Sequence, residues 1–289
     1  MGLLLITRFT LQEAVRRWLF VAVAILSVVM IGLFSILLNI AVSTIVPSNS
    51  YNTQIALLSG GIAISVLSMW LVYVLTSVLT IVLTAGMISG EIDANTFSVI
   101  VPKPLRRAEI ILGKWLGYAL LLGVYAALLF LSFEGIIYLK TGYWPTYALN
   151  ALGMLELIVF SLLGLTTLLG TLVPTLVNGA IMLILFIFAP IVSVIQFIVQ
   201  LLSPSQSATI QNISTLVNLV IPSDALWHGV SYFLLPDMSG MLLLGISPNT
   251  FNTPFTSGTP VAPMLVIWVM LYSVVLPLLG VWRFRKRDL

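Results

Sequence analysis

The sequence predicts an all-α integral membrane protein with six transmembrane helices and both termini in the cytoplasm. Three observations carry that expectation. Only 21 of 289 residues are charged and 60% are hydrophobic, whereas about a quarter of the residues in a soluble domain carry charge. The charges leave long neutral runs: 73 residues between Arg17 and Glu91, 67 between Glu156 and Asp224, and 45 between Asp237 and Arg283. The basic residues gather in three clusters that six spans bring to one side. So much apolar side chain with so little polar surface excludes a soluble domain, and equally a disordered or nucleic-acid-binding chain. Cysteine is absent, which excludes disulfides, thiol catalysis and Cys-ligated metal.

Residues 1–17 come first. Leu11, Ala14, Val15 and Trp18 recur at helical spacing, and Arg8, Gln12, Glu13, Arg16 and Arg17 fall mostly on the other face. This pattern predicts a short interfacial helix with its arginines toward anionic headgroups, or an ordinary charged flank that orients the first span. The apolar stretch that follows is too long for the core of a signal peptide, so it is read as a retained span.

A helix needs about 20 apolar residues to cross the hydrocarbon. On that measure the spans cover 18–44, 56–89, 113–139, 150–172, 178–202 and 261–282. Pro47 to Asn52 separates the first two, and Pro174 with Asn178 breaks the fourth from the fifth. Continuous apolar runs favour helices, since barrel strands would alternate. Arg8, Arg16 and Arg17 precede span 1. Lys103, Arg106, Arg107 and Lys114 lie between spans 2 and 3, and Arg283, Arg285, Lys286 and Arg287 follow span 6. Six spans put these 11 of 12 basic residues on one face, which the positive-inside rule assigns to the cytoplasm. Lys140 is the exception. Five or seven spans would split the clusters.

The chain reads as a single transmembrane domain over 1–289, with two longer pieces outside the spans. In the cytoplasmic segment 91–112, Asp93 is placed to cap a short helix through Val101, ended by Pro102 and Pro104. Phe97 and Ile100 share one face of it, to pack under the bundle or to dock on another protein. The extracytoplasmic segment 203–260 is too polar for spans and too patterned for a flexible loop. Ile210, Ile213, Leu216, Val217 and Val220 form one helical face, and Ser223 is placed to cap a second short helix. Two such helices can cover the bundle, or serve as an outer gate or docking surface.

Within the spans the acidic residues are Glu134 and Glu156. Glu134 lies six residues before Lys140 and Glu156 six after Asn150, each about 9 Å below the outer boundary, where the two can face each other. One reading is a cation site, polar-substrate site or gate on the translocation path. The other is a structural carboxylate, paired with Lys140 or set against a hydroxyl. Gly86-x-x-x-Gly90 and Gly113-x-x-x-Gly117 permit close helix packing, and Pro174, Pro190 and Pro277 can end or kink spans. His228 is the single histidine, which disfavours a zinc site or a Ser-His hydrolase.

Gly90-Glu91, Thr96 and the run Lys103-Pro104-Leu105-Arg106-Arg107-Ala108-Glu109-Ile110-Ile111-Leu112-Gly113-Lys114 resemble the connection after the second span in permease subunits of ABC-2-type transporters. The ending Arg283-Phe284-Arg285-Lys286-Arg287-Asp288-Leu289 and the segment Val220-Ile221-Pro222-Ser223-Asp224-Ala225 are also similar to that family. The second is most similar to the branch containing the nitrous-oxide-reductase maturation permease. Asn95 stands where the family usually has Gly, and Leu105-Arg106 replaces the common Val/Ile-Ser.

The resemblance implies a subunit that is not itself an enzyme and holds no cofactor. A separate ABC ATPase subunit would bind ATP and magnesium, and the chain has no phosphate loop of its own. It further implies a second permease subunit, as homo- or heterodimer, in the plasma membrane of a prokaryote, with membrane lipid as the other partner and no nucleic acid. The helix from Asp93 to Val101 would be the coupling helix. Glu91, Asp93, Thr96, Phe97, Ile100, Arg106 and Arg107 would be its ATPase-coupling residues. A secondary transporter or channel would need midplane polar groups and often internal repeats, of which none is clear. An intramembrane enzyme would have to rest on the two lone glutamates.

Overall fold

The computed structural model describes residues 2–45, 51–90, 107–202, 207–245, 247 and 252–285. Among these lie ten α-helices: α1 (Gly2–Arg16), α2 (Trp18–Ile45), α3 (Tyr51–Thr84), α4 (Arg107–Thr141), α5 (Ala148–Gly170), α6 (Thr175–Leu202), α7 (Ser207–Val220), α8 (Ser223–Leu234), α9 (Met238–Leu243) and α10 (Pro263–Arg285). Six contain stretches long and apolar enough to cross a membrane: Trp18–Ser43, Gln54–Thr84, Ala108–Thr141, Ala148–Gly170, Thr175–Leu202 and Pro263–Arg283. All six expected spans are present. The second stops short of residue 89 because the chain turns at 85–88. Arg8, Arg16, Lys114 and Arg283 mark one end of the bundle, called here the basic end; Lys140 lies toward the far end.

α5 is the hub, packed against α10, α8, α4, α3 and α6. Twelve of its residues are buried, among them Gly164 and the hydroxyl residues Ser161, Thr166 and Thr167. α3 buries a similar set, including Ser65, Ser68, Thr76, Ser77, Thr80 and Thr84. Thr76, Thr80 and Thr84 each donate to the carbonyl four residues back, so these hydroxyls are satisfied within their own helix. Large apolar chains face outward instead, as on α2 (Ile25, Val28, Leu33, Leu37) and α6 (Ile184, Ile187, Phe188, Leu201). Small and hydroxyl residues inside with large aliphatics outside is the arrangement that lipid favours, because it lets helix backbones approach.

The same rule corrects the expected face of α1. The helix lies along the basic end of α4 and buries Thr7, Thr10 and Ala14, while its Phe9 and Val15, and Trp18 at the start of α2, are exposed. Its seat is the Gly113-x-x-x-Gly117 pair. A Cβ on Gly113 would come within 2.8 Å of Ile6 Cβ, and one on Gly117 within 2.8 Å of Thr10 Cβ. Thr7 Oγ1 also donates to the Gly113 carbonyl at 3.1 Å. The larger apolar residues of α1 are therefore left for lipid. α2 runs along α4 through Phe20 on Tyr125, Ser27 Oγ 2.7 Å from Tyr125 Oη, and Phe34 on Phe133.

The segment after α6 differs most from expectation. α7 folds back along α6, and its C-terminal carbonyls are taken up by α10. Trp268 Nε1 donates to the Leu219 carbonyl at 3.1 Å, and Tyr272 Oη donates to that of Val220. These donors lie five and nine residues into α10, about 8 and 14 Å along its axis. α7 thus descends into the bundle from the far end, the chain turns at Ile221-Pro222, and α8 returns. Tyr143 in the loop 142–147 donates to the Leu234 carbonyl at the top of α8. The Ile213, Leu216 and Val220 face of α7 is exposed on the outside rather than covering the bundle. Two helices of 14 and 12 residues are too short to register as spans, which is why the stretch reads as an outer segment. Ser223 is not the cap of α8: Pro222 holds that position and Ser223 is the first helical residue, fully buried. α9 begins after Asp237, which accepts from Ser239 Oγ and the Gly240 N–H. The Ser239 bond and then the Gly240 bond hold the Asp237 carboxyl below its usual range.

Candidate functional site

At the basic end the two stubs of the 91–106 connection are fastened to one another and to a third span. Lys114 Nζ, on the first turns of α4, donates to the Met87 carbonyl at 3.0 Å. Asn178 in α6 is fully buried, and its Nδ2 donates to the Ala85 carbonyl at 2.9 Å and to that of Thr166 in α5 at 3.1 Å. Ser89 Oγ and Thr175 Oγ1 stand 2.9 Å apart. Small residues make the clasp possible. A Cβ on Gly86 would meet Thr175 Cγ2 at 3.0 Å, and one on Gly170 would meet Asn178 Nδ2 at 3.3 Å. The polar atoms of Lys114, Ser89 and Asn178 join α3, α4, α5 and α6 where the connection leaves and re-enters the bundle. Of the residues assigned to coupling from sequence, Glu91, Asp93, Thr96, Phe97, Ile100 and Arg106 lie outside the described residues. Arg107 is the first residue of α4, with its side chain likewise outside the description.

The two glutamates are not brought together. Glu134 is fully buried and accepts a 2.6 Å hydrogen bond from Ser65 Oγ on α3. Lys140 does not pair with it, because Lys140 Nζ donates to Asn39 Oδ1 on α2 at 2.8 Å. Glu156 lies instead against Gly123, where an added Cβ would stand 3.0 Å from its Oε2. Gly123 is eleven residues before Glu134 on α4, about 16 Å along the helix. Counting inward from each span's end placed the carboxylates level. That count assumed that α4 and α5 end at one height, and their contacts place them out of step. Glu134 Oε2 and Glu156 Oε2 are both buried without a hydrogen-bond partner among the described residues.

A third buried carboxylate escaped the sequence reading. Asp224, in the first turn of α8, is 2% exposed and accepts a hydrogen bond from Ser193 Oγ on α6. His228 Nε2, one turn on, lies 3.6 Å from Asp224 Oδ2. Below them Tyr73 of α3 stacks on Trp227 with ring centroids 5.2 Å apart, and Trp227 Nε1 donates to the Phe255 carbonyl at 2.7 Å. Ser193 is nine residues before the end of α6, about 14 Å along the helix, which agrees with the depth of Val220 on α10. Asp224 therefore sits at span depth although no span contains it. An ionisable group at such depth is costly and marks function more often than one at a surface. The available signal was Ser193-x-x-Gln196-x-x-x-Gln200, a polar row at helical spacing in an otherwise apolar span.

That row opens onto a cavity of about 650 Å³ between α6, α7, α8 and the loop 252–261. α7 turns its Gln211, Ser214, Thr215 and Asn218 face into it, the reverse of a helix on a soluble protein. His228 is part of the wall.

The six-span helical bundle, the fastened ends of the 91–106 connection and the re-entrant pair α7–α8 involve nearly the whole length of the chain. The family model for ABC-2 family transporter proteins matches residues 4–289. No curated protein matches the chain in sequence. The match takes in all six spans and the re-entrant pair, and the chain belongs to the ABC-2 family of transporter proteins.

Proposed function

We propose that this chain is the membrane-spanning permease subunit of an ATP-driven ABC-2-type exporter, non-catalytic itself and coupled to a separate ABC ATPase subunit. The observation that carries the reading is the family match over 4–289. The clasp at the basic end supports the coupling route. A push on the 91–106 segment is delivered to α3 through Met87 and Ala85, to α4 through Lys114, and to α6 through Asn178 and Thr175. Spans joined by such contacts move as rigid bodies. ATP and magnesium bind the partner subunit, two permease subunits pair in the plasma membrane of a prokaryote, and the basic end faces the cytoplasm, in line with the placement of the arginines and lysines.

The test is co-purification with an ABC ATPase and nucleotide-dependent transport in vesicles. Phe97→Asp, or Arg106→Glu with Arg107→Glu, is expected to abolish stimulation of transport by ATP while leaving the chain folded and in the membrane. Full coupling in both variants would remove the segment from the coupling role.

A further inference from the structure

The far-end cavity is built from residues that neither coupling nor packing explains. Gln196 and Gln200 come from α6, Gln211 and Asn218 from α7, His228 from α8 and Asn252 from the loop. Serine and threonine hydroxyls fill the spaces between them, and among the described residues no Lys, Arg, Asp or Glu lines the wall. The wall groups that lie at span depth, Gln196 and Asn218, must be satisfied by something, because each one left dry in an apolar medium is costly. Their own chains do not use them all up, and the cavity is open to the far end.

The chemistry of the wall limits the ligand. Side-chain amides and hydroxyls each offer both a donor and an acceptor, so they match groups that do the same. A phosphate or carboxylate would call for Arg or Lys, and a cationic head group would call for a carboxylate facing it. Asp224, the nearest acid, is turned to Ser193 and His228 and is not part of the wall. A ligand with hydroxyls on all sides and no charge fits this lining. The volume falls within the range of about 300–1,000 Å³ common to small-molecule sites. Beside the opening, the exposed Leu201 and Leu202 of α6 and Ile213 of α7 offer a surface for acyl chains.

We propose that this cavity is a binding site for an uncharged polyhydroxylated ligand, either a free saccharide or the sugar head group of a glycolipid. The assignment concerns binding alone, so it is tested without nucleotide and apart from the coupling proposal.

The full chain is placed in phosphatidylcholine nanodiscs. Two probes are compared: maltotriose in solution, and monogalactosyl diacylglycerol in the bilayer with phosphatidylglycerol as competitor. Retention is read by native mass spectrometry and by saturation-transfer NMR. Both Gln200 and Gln211 are exposed in the cavity, so Gln200→Ala with Gln211→Ala removes wall contacts without disturbing the core. The expected result is preferential retention of at least one sugar probe, weakened by about thirtyfold in the double variant, as the loss of two neutral hydrogen bonds implies. Retention of the galactolipid alone assigns the site to a membrane source, and retention of maltotriose assigns it to a soluble one. Retention of neither probe, equal retention of phosphatidylglycerol, or an unchanged double variant would overturn the proposal.

Discussion

Gly113→Ala and Gly117→Ala should each lift α1 off α4. The added methyl groups would stand 2.8 Å from Ile6 Cβ and from Thr10 Cβ, with the Leu3 and Thr7 carbonyls at 3.1 and 3.2 Å. The obstructing atoms include β-carbons and backbone oxygens beside the Ile6 and Thr10 γ-methyls, so turning a side-chain end away does not relieve the clash. Overpacking of this kind costs about 1–3 kcal/mol, and two changes in one seat do not simply add. If that cost falls on the docked state, the population of undocked α1 rises about 5- to 150-fold per substitution. The chain has no cysteine, so a single introduced thiol reports cleanly. Thr10→Cys puts it at a site only 4% exposed in the seat, where alkylation proceeds through opening. Phe9→Cys, already 60% exposed, is the control. Maleimide labelling of Thr10→Cys is expected to accelerate by the factor above in either glycine variant, with the control unchanged. Acceleration below about twofold in both would show that the glycines do not form the seat.

Two further outcomes follow from contacts inside the bundle. Glu134→Gln keeps an acceptor for Ser65 Oγ and should leave thermal stability in detergent near that of the parent. Glu134→Leu should lose about 1 kcal/mol, and equal loss in both variants would show that the charge, not the Ser65 bond, matters. Tyr272→Phe strips a donor from the Val220 carbonyl and should weaken docking of α7 by about 1 kcal/mol. Limited proteolysis around Pro222 reads the change, and resistance equal to the parent's would contradict the role given to Tyr272.

Much of the architecture is readable from local signals. The six spans follow from run length, and their common sidedness from Arg8, Arg16, Lys114 and Arg283. Those signals are one-dimensional, and depth in the membrane is not. Glu134 and Glu156 look level when counted from the ends of their spans, yet α4 and α5 are offset and the carboxylates lie far apart along the bundle. Asp224 looks extramembranous because α7 and α8 are each too short for a hydropathy window. The amphipathic pattern of α7 was visible, but its sense was reversed: in lipid the apolar face turns outward and the polar face turns toward the cavity.

Composition and run length alone point to six membrane-crossing stretches, the placement of 11 of 12 basic residues points to one common side with Lys140 excepted, and the motif after span 2 resembles that of ABC-2 permeases. These are properties of composition, run length and local motif, which hydrophobic transfer and charge placement dictate without reference to the rest of the fold. Which face of each helix is inside came only from the packing, as did the seat of α1 on Gly113 and Gly117, the joining of α3, α4 and α6 by Lys114 and Asn178, and the burial of Asp224 at span depth. Each of these depends on how close two backbones can approach. In a bilayer that is governed by packing between helices far apart in sequence, such as α1 with α4 and α7 with α10.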